Sequence, residues 1–338
     1  MDFLGYLYAN LGISQWLDTP GVTEICINKP GHCFVEINGQ WHSHAQPSMT
    51  MDALRGFCTA IVNESRTGQR ITEKEPLVSL TFPGGQRAQL VIPPACEAGS
   101  VSVTIRVPGQ RTTTLEQYAS QGFFGRIRES RNLPSSHAHL RELARKEQWV
   151  AFFRYCVESR QNIVVAGATA SGKTSFMKSL IQCIPLHERL ITIEDARELF
   201  LEHRNAVHLL YAKGIADSSA VTARQCMEAC LRMRPDRILL AELRGDEVFH
   251  YLRGCASGHP GSITSCHAGS ATQAWEQLAL MIKASPEGAT LDMRTIHSLL
   301  KSSIDVMVHV ANVGGIRRIT GVSLTDLEGE EAMSAVSG

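Results

Sequence analysis

The chain has 338 residues, of which 43% are hydrophobic and 20% are charged, and its formal net charge is zero. This length allows two domains with separate cores, while the balanced and dispersed charge argues against strong non-specific binding to nucleic acid. No apolar stretch approaches the length that crosses a bilayer, and the N-terminus lacks the basic region and cleavage site of a signal peptide. We therefore expect a cytoplasmic protein. Its ten scattered cysteines form no Cys-x-x-Cys pair and are expected to be buried free thiols.

The first part of the chain combines helix and strand patterns. Apolar residues recur at helical spacing over residues 4–17, and a second helix is predicted near 52–64. Asn38-Gly39 separates two short strand patterns, which predicts a β-hairpin. Further strands are predicted at 23–27, 77–82, 87–92 and 101–107. We expect a mixed α+β N-terminal domain over residues 1–121.

The composition changes after residue 121. Residues 122–146 contain Gly, Pro-Ser-Ser and several Arg and Glu residues, and we interpret them as an interdomain linker with one partly helical stretch. Because this is long for a connection, we expect the two domains to move relative to each other.

From residue 147 onward, strand and helix patterns alternate, which indicates a parallel sheet. Strands are predicted at 162–166, 190–194, 238–242, 262–266, 306–310 and 317–322, and helices at 173–183, 222–232, 246–256, 271–284 and 293–302. The tail beyond residue 326 is predicted to be disordered.

Residues 167–174 read Gly-Ala-Thr-Ala-Ser-Gly-Lys-Thr and directly follow the apolar run 163–166. A buried strand that ends in a Gly-rich turn and leads into a helix presents backbone N–H groups and a helix dipole to phosphate oxygens. Lys173 would reach the β- and γ-phosphates, and the Thr174 hydroxyl would ligate Mg²⁺. The predicted nucleotide-binding residues are Gly167, Ala168, Thr169, Ala170, Ser171, Gly172, Lys173, Thr174 and Ser175. The sequence therefore predicts that the chain binds a nucleoside triphosphate.

Two strands end in carboxylates at the edge of the predicted sheet where ligands bind in such folds. The first ends at Glu194-Asp195, which could hold a Mg²⁺-bound water or orient the attacking water, although Asp195 would serve equally well as a helix N-cap. The second ends at Glu242, which would polarise water for hydrolysis of the γ-phosphate and stabilise Mg²⁺ through its shell. In the commonest motor ATPases the corresponding strand ends Asp-Glu and offers a second acid to the metal. This strand ends Ala-Glu, so we expect Glu194 to share in ligating the metal.

A third strand ends in the polar run 264–267, where His267 could sense the γ-phosphate. His259 and His267 could alternatively form a metal pair, but no further ligand lies at metal-binding spacing, which argues against a metal. A structural role for His259, bonding a loop carbonyl, is an equal alternative.

These segments together resemble the secretion-type hexameric ATPases and, among them, the traffic ATPase of type IV secretion systems. Glu194-Asp195 match the acidic box of that family, residues 238–245 its Walker B segment and residues 258–269 its histidine box, while residues 230–237 are typical of the type IV branch. Residues 85–89 and 101–108 resemble two N-terminal signatures whose arginines, here Arg87 and Arg106, face the nucleotide. The resemblance implies an α/β protein with a RecA-like parallel-sheet ATPase domain over residues 147–338, preceded by the smaller mixed α+β domain.

The same resemblance implies a homo-hexameric motor that hydrolyses ATP with Mg²⁺ and powers substrate transfer or pilus biogenesis. It would work at the cytoplasmic face of the inner membrane as a peripheral protein, with other channel components as partners and DNA or protein as cargo. The expected catalytic residues are Glu242, Glu194, Lys173 and His267. Each nucleotide would be closed in by the N-terminal domain of its own subunit and by an arginine of a neighbour, for which Arg232 and Arg234 are the candidates.

Three alternatives and two departures from the family pattern, one in the phosphate loop and one at Ala241, accompany this interpretation. A pilus assembly or retraction motor belongs to the same superfamily. A DNA-translocating ATPase would need a basic stripe or an aromatic platform, and a switch GTPase would need an Asn-Lys-x-Asp segment after the loop; the sequence shows neither. Ala168, Ala170 and Ala241 stand where relatives usually carry Gly, and a positive φ would strain an alanine.

Overall fold

The computed structural model describes residues 3–82, 85–108, 114–120, 122, 137–212 and 220–325. These residues form two sheets with their own clusters of buried side chains. The tail beyond residue 326 and residues 123–136 of the predicted linker lie outside the described residues. None of the helices in the described part combines the length and apolar character that a membrane crossing requires.

The first sheet is antiparallel and carries three helices. Its elements are α1 (Phe3–Asn10), α2 (Ser14–Leu17), β1 (Val22–Lys29), β2 (His32–Ile37), β3 (Gln40–Ala45), α3 (Met51–Glu64), β4 (Leu77–Thr81), β5 (Arg87–Val91) and β6 (Ser102–Arg106). Within the described residues its strand order is β3-β2-β1-β6-β5-β4. Leu7 of α1 and Phe57 of α3 are buried with Ile25 and Val103 of the sheet, so the helices cover one face. The predicted mixed α+β fold is confirmed.

The predicted hairpin joins β2 to β3. Asn38 and Gly39 both have positive φ, 51° and 78°, which is the backbone that a two-residue hairpin requires and that Asn and Gly adopt most readily. Ile37 and Gln40 pair across the turn.

The second sheet is parallel except at one edge. After residue 108 the elements are α4 (Leu115–Ser120), α5 (His137–Arg145), α6 (Trp149–Glu158), β7 (Ile163–Ala166), α7 (Lys173–Ile181), β8 (Leu190–Glu194), β9 (Ala206–Leu210), α8 (Ala223–Cys230), β10 (Arg237–Leu243), α9 (Glu247–Ala256), β11 (Ile263–Cys266), α10 (Ala271–Ala284), α11 (Met293–Ser303), β12 (Val306–Val313) and β13 (Ile316–Leu324). The strand order within the described residues is β13-β12-β7-β11-β10-β8-β9, with β13 antiparallel to β12. The predicted parallel-sheet fold is confirmed, while β9 and α6 were not predicted.

The end of the predicted linker packs against the second sheet. Leu140 and Leu143 of α5 are buried in one cluster with Phe152 of α6 and Ile163 of β7. All ten cysteines are free; nine are buried and Cys183 is partly exposed, as expected for buried thiols.

Arg189, just before β8, joins the two sheets. Its guanidinium is fully buried and donates through Nη1 to Oδ1 of Asn28 at 2.8 Å and Oδ1 of Asn205 at 2.6 Å. Nη2 lies 3.3 Å from Oγ1 of Thr104, and Nε donates to the carbonyl of Met233 at 2.9 Å. Asn28 and Thr104 belong to the first sheet, the other partners to the second domain. This packing opposes the independent domain movement that the length of the linker suggested.

Replacing Arg189 with Met should destabilise the chain by about 3 kcal/mol, because it leaves several buried oxygens without a donor. Urea unfolding followed by circular dichroism measures the change. The control is Arg204→Met, since exposed Arg204 lies 3.3 Å from His32 across the same domain boundary. That substitution should cost less than about 1 kcal/mol. Equal losses for the two variants would show that Arg189 has no special role in joining the domains.

Candidate active site

The loop at 167–172 connects β7 to α7 in the predicted strand–turn–helix arrangement. Gly172, the N-cap of α7, has a φ of 102°, which an L side chain rarely adopts. Gly167 is required for a different reason: a Cβ there would lie 2.3 Å from the carbonyl oxygen of Val310. The loop therefore brings its backbone N–H groups together at the start of α7, where phosphate binds.

One of the two alanines in the loop is strained. Ala170 has a φ of 61°, whereas Ala168 is not among the residues with positive φ. The left-handed conformation costs an alanine about 1 kcal/mol or more. The predicted strain thus falls on Ala170.

Lys173 begins α7 and its side chain folds back over the loop. Its Nζ donates to the carbonyls of Gly167 at 2.9 Å and Ala168 at 3.0 Å, and lies 3.5 Å from Nδ1 of His267. Burial lowers the pKa of the Lys173 ammonium, and the nearby carboxylate of Glu242 opposes this shift. The ammonium is thus held at the mouth of the loop by carbonyl groups.

Glu242 lies at the centre of a charged row at the carboxyl edge of the sheet. Its Oε1 is 2.7 Å from Nε2 of His267, and its Oε2 accepts a hydrogen bond from Nε of Arg244 at 2.8 Å. Nη2 of Arg244 also contacts Oε2, and Nη1 donates to Oδ2 of Asp195 at 2.7 Å. The row therefore runs from Lys173 through His267, Glu242 and Arg244 to Asp195. It joins three of the predicted catalytic residues.

Arg244 was not among the predicted site residues, whereas Asp195 was considered together with Glu194 as a carboxylate at the end of β8. Arg244 follows the last residue of β10, and Asp195 follows the last residue of β8. Both strands are parallel and adjacent, so residues just beyond their carboxyl ends meet at one edge. That position in the sequence is the signal that could have identified Arg244.

Glu194 is not part of this row. It is fully buried; its Oε1 accepts from the hydroxyl of Thr192 at 2.6 Å, and its Oε2 accepts from the N–H groups of Glu198 and Leu199, both at 2.7 Å. Burial acts to raise the pKa of Glu194, but hydrogen bonds from His208, Thr192 and these backbone groups outweigh it and lower the pKa. The carboxylate is engaged in fixing the turn after β8, and none of the contacts among the described residues joins it to Glu242.

His259 was predicted either to bind a metal with His267 or to bond a loop carbonyl, and the structure shows the second contact. Its Nδ1 lies 3.0 Å from the carbonyl of Pro235. Among the described residues, no group of three or more His, Cys, Asp and Glu side chains is arranged to hold a metal ion.

Residues 67–312 match the family model described as "Type II/IV secretion system protein". The chain belongs to this family. It is 44% identical to the type IV secretion system protein VirB11 of Brucella suis over 93% of this chain and 87% of that protein. It is 39% identical to the type IV secretion system protein PtlH of Bordetella pertussis, over 93% of each chain. The crystal structure of the VirB11 ATPase from Brucella suis in complex with sulphate superposes with a TM-score of 0.88, at 44% identity, over 95% of this chain and 97% of that chain.

These comparisons confirm the resemblance to type IV secretion ATPases, the fold class and the ATPase activity inferred from the sequence. The protein is a nucleotide-binding secretion-system ATPase, and the row around Glu242 lies beside its phosphate loop. A cavity of about 540 Å³ next to the loop is lined in part by Thr169, His267 and Gly269.

A second, larger cavity of the ATPase contains the predicted arginines of the N-terminal domain. It has a volume of about 770 Å³ and is called the arginine pocket below. Four arginines line it: Arg87, Arg106, Arg232 and Arg234. Arg87 and Arg106 are paired across β5 and β6. Arg232 and Arg234 precede the first residue of β10, so the pocket lies at the amino edge of the parallel sheet.

The arginine pocket and the phosphate loop are thus at opposite edges of one sheet. β10 has seven residues, which at roughly 3.3 Å per residue separates its ends by about 20 Å. The structure does not bring Arg87 and Arg106 to the phosphate loop of the same chain. The expectation that each subunit closes its own site with these arginines therefore does not match this arrangement.

The two candidates for contact with a neighbour differ in their surroundings. Arg234 is half-buried and its guanidinium bonds Glu36 at 2.5 Å and Asp236 at 3.0 Å. Arg232 is exposed, with Nη1 3.5 Å from the carbonyl of Glu228. Arg232 is therefore freer than Arg234 to meet another subunit.

The pocket also contains one buried acid. Burial raises the pKa of Glu24 to about 7, although the guanidinium of Arg106, 3.9 Å away, acts against this shift. Near neutral pH the carboxyl group is therefore partly protonated and offsets only part of the charge of the arginines in the pocket.

Proposed function

We propose that this ATPase works as a homo-hexameric ring in which the phosphate loop of one subunit faces the arginine pocket of the next. The observation that carries the proposal is the placement of these two features at opposite edges of the same sheet. One edge offers the loop and a water-activating acid, and the other offers basic groups suited to a terminal phosphate. Repeated head-to-tail contact joins such edges, and a ring is the closed form of that contact.

The proposed chemistry divides the work between the two subunits. Lys173 binds the β- and γ-phosphates, and Glu242 accepts the proton of the attacking water. His267 and Arg244 fix the orientation of the Glu242 carboxylate. The arginine pocket of the neighbour stabilises charge on the γ-phosphate, since guanidinium groups bond phosphate oxygens at two points and keep their charge. The site becomes complete only at a subunit boundary.

The hard oxygen donors of the site fit Mg²⁺. The hydroxyl of Thr174, the second residue of α7, would ligate the ion directly, and the carboxylate of Glu242 would act through a water molecule. When bound there, Mg²⁺ would supply positive charge that offsets the negative charge of the phosphates.

We propose an indirect role for Glu194, which departs from the direct one expected from the sequence. Its bonds to the backbone after β8 fix the turn that carries Asp195. Asp195 in turn holds Arg244 against Glu242. A direct role would require Glu194 to give up two backbone hydrogen bonds in a buried position, which is costly.

We also propose the domain boundaries 1–121, 122–146 and 147–338. They are supported by the separate sheets, the first of which ends with β6 and the second of which begins with β7. The packing of α5 suggests that the last residues of the linker accompany the ATPase domain.

The setting of the motor follows from its relatives. We propose that it acts at the cytoplasmic face of a type IV secretion channel, peripherally associated with the inner membrane, with other channel components as partners. There it would power transfer of DNA or protein, or pilus biogenesis. The names of the VirB11 and PtlH relatives favour the type IV channel over a type II or pilus motor.

Nucleotide binding by an Arg106→Ala variant tests the arrangement. Because only ATP offers a γ-phosphate, this variant should bind a non-hydrolysable ATP analogue roughly ten-fold more weakly and ADP almost normally. Isothermal calorimetry gives both affinities, and Arg55→Ala, which removes an exposed arginine of α3, is the control.

Light scattering on the same samples, at micromolar concentration with the analogue, should give the mass of six subunits. Equal losses for the two nucleotides would indicate a general structural role for Arg106. A protein that stays monomeric would contradict the ring.

A further inference from the structure

We infer that Arg317 of β13 is a further nucleotide-contacting residue, which acts in the same subunit as the phosphate loop and binds the α- and β-phosphates. The inference rests on the proposed function of this site. It concerns a part of the chain that the motifs of the sequence did not include.

The β12–β13 hairpin extends past the carboxyl edge of the sheet. β12 is parallel to β7, and its pairing runs from Val306 with Ile163 to His309 with Ala166. β7 ends there, whereas β12 continues to Val313 and β13 returns beside it. The projecting part of the hairpin therefore lies along the phosphate loop. It extends about 10 Å or more past the end of β7.

Two glycines of the loop contact this projecting part. A Cβ on Gly172 would lie 2.8 Å from Cδ and 3.5 Å from Nε of Arg317. The approach of Gly167 to the carbonyl of Val310 is closer still. The stem of Arg317 thus packs on the backbone of Gly172, and its guanidinium is placed close to the start of α7.

This position suits a phosphate ligand. The backbone N–H groups of such a loop bind the α- and β-phosphates at the start of the helix. The side chain of Arg317 is exposed, and among the described residues none forms a hydrogen bond or ion pair with its guanidinium. A planar cation with free donors beside an anion site binds phosphate oxygens at two points.

Arg317 differs from Arg106 in the nucleotide groups that it reaches. Arg106 belongs to the pocket that faces the γ-phosphate of a neighbour's nucleotide. Arg317 lies beside Gly172 of its own chain, where the phosphates are common to ATP and ADP. Its contribution to binding should therefore be the same for both nucleotides.

The neighbouring Arg318 supplies a matched control. It is also exposed and carries the same charge, but consecutive residues of a strand point to opposite faces. A substitution there changes the net charge of the hairpin equally and leaves the contact with Gly172 in place.

The experiment compares Arg317→Ala with Arg318→Ala in the full chain, by calorimetry with Mg²⁺ and either ADP or a non-hydrolysable ATP analogue. Arg317→Ala should weaken binding of both nucleotides by a similar factor, roughly ten- to a hundred-fold. Arg318→Ala should bind within about two-fold of the unchanged protein. Unchanged binding by Arg317→Ala, a loss confined to the ATP analogue, or equal losses for the two variants would each overturn the inference.

Two further variants separate this inference from the proposed function. Arg317→Lys keeps the charge without the planar fork and should give an intermediate loss, with an unchanged thermal unfolding temperature. Lys173→Ala should lose binding whatever Arg317 does. Loss of binding by Lys173→Ala with normal binding by Arg317→Ala would overturn the role of Arg317 alone. Normal binding by Lys173→Ala would instead overturn the assignment of the phosphate loop.

Discussion

Replacing Glu242 with Gln is expected to remove ATP turnover and to leave nucleotide binding intact. Glutamine keeps the size of the side chain, but its neutral amide cannot accept a proton from the attacking water. Loss of a positioned general base lowers the rate by about 10²- to 10⁴-fold. Binding should persist because Lys173 and the loop backbone, which hold the phosphates, are unaltered.

Phosphate release and calorimetry measure the two effects on the same preparation. Glu158→Gln is the matched control, since it makes the same chemical change at an exposed position at the end of α6. It should leave both quantities unchanged. If Glu242→Gln hydrolysed ATP at the normal rate, the water-activating acid would have to be another residue.

Local patterns in the sequence were sufficient to predict much of the fold. The alternation of strands and helices predicted the parallel sheet, and the loop at 167–174 predicted the connection of β7 to α7. In each case the signal lies within a few adjacent residues: hydrophobic period, Gly at positions of unusual φ, and a cationic residue at the start of a helix.

The elements that were missed lack such a signal. β9 (Ala206–Leu210) is a short strand at the edge of the sheet, and the polar side chain of His208 interrupts its apolar run. α6 (Trp149–Glu158) is rich in aromatic and β-branched residues, which favour helix weakly. Its helical conformation depends on packing, since Phe152, Phe153, Cys156 and Val157 are buried together.

Adjacent carboxylates illustrate a limit of sequence reasoning at the site. Consecutive residues at a strand end point to opposite sides, so only one of Glu194 and Asp195 can join the row around Glu242. The sequence does not say which, because the answer depends on the turn that follows. Here the backbone N–H groups of Glu198 and Leu199 donate hydrogen bonds to Glu194, whereas Asp195 accepts one from Arg244.

The location of the arginine pocket is also a tertiary property. The signatures around Arg87 and Arg106 identify residues suited to phosphate. They contain no information about whether these arginines reach the nucleotide of their own subunit or that of a neighbour. The packing of the domains through Arg189 decides that these arginines lie at the amino edge of the sheet. In the proposed ring, the contact between subunits would therefore complete the site.

We propose that the loop of one subunit and the arginine pocket of the next form one site. The most direct test of this proposal mixes two defective subunits. Lys173→Ala removes the loop's ammonium but keeps the arginine pocket, and Arg106→Ala impairs the pocket but keeps the loop. Each variant alone should be nearly inactive. In a ring assembled from both, the intact loop of an Arg106→Ala subunit meets the intact pocket of a Lys173→Ala subunit at some boundaries.

Co-expression of the two variants with different affinity tags, followed by sequential purification, isolates mixed rings for an ATPase assay. With random assembly of equal amounts, about a quarter of the boundaries combine an intact loop with an intact pocket. The account predicts that mixed rings recover about a quarter of the ATPase rate of the unchanged protein. Mixed rings as inactive as either variant alone would show that each chain completes its own site, and would contradict the account.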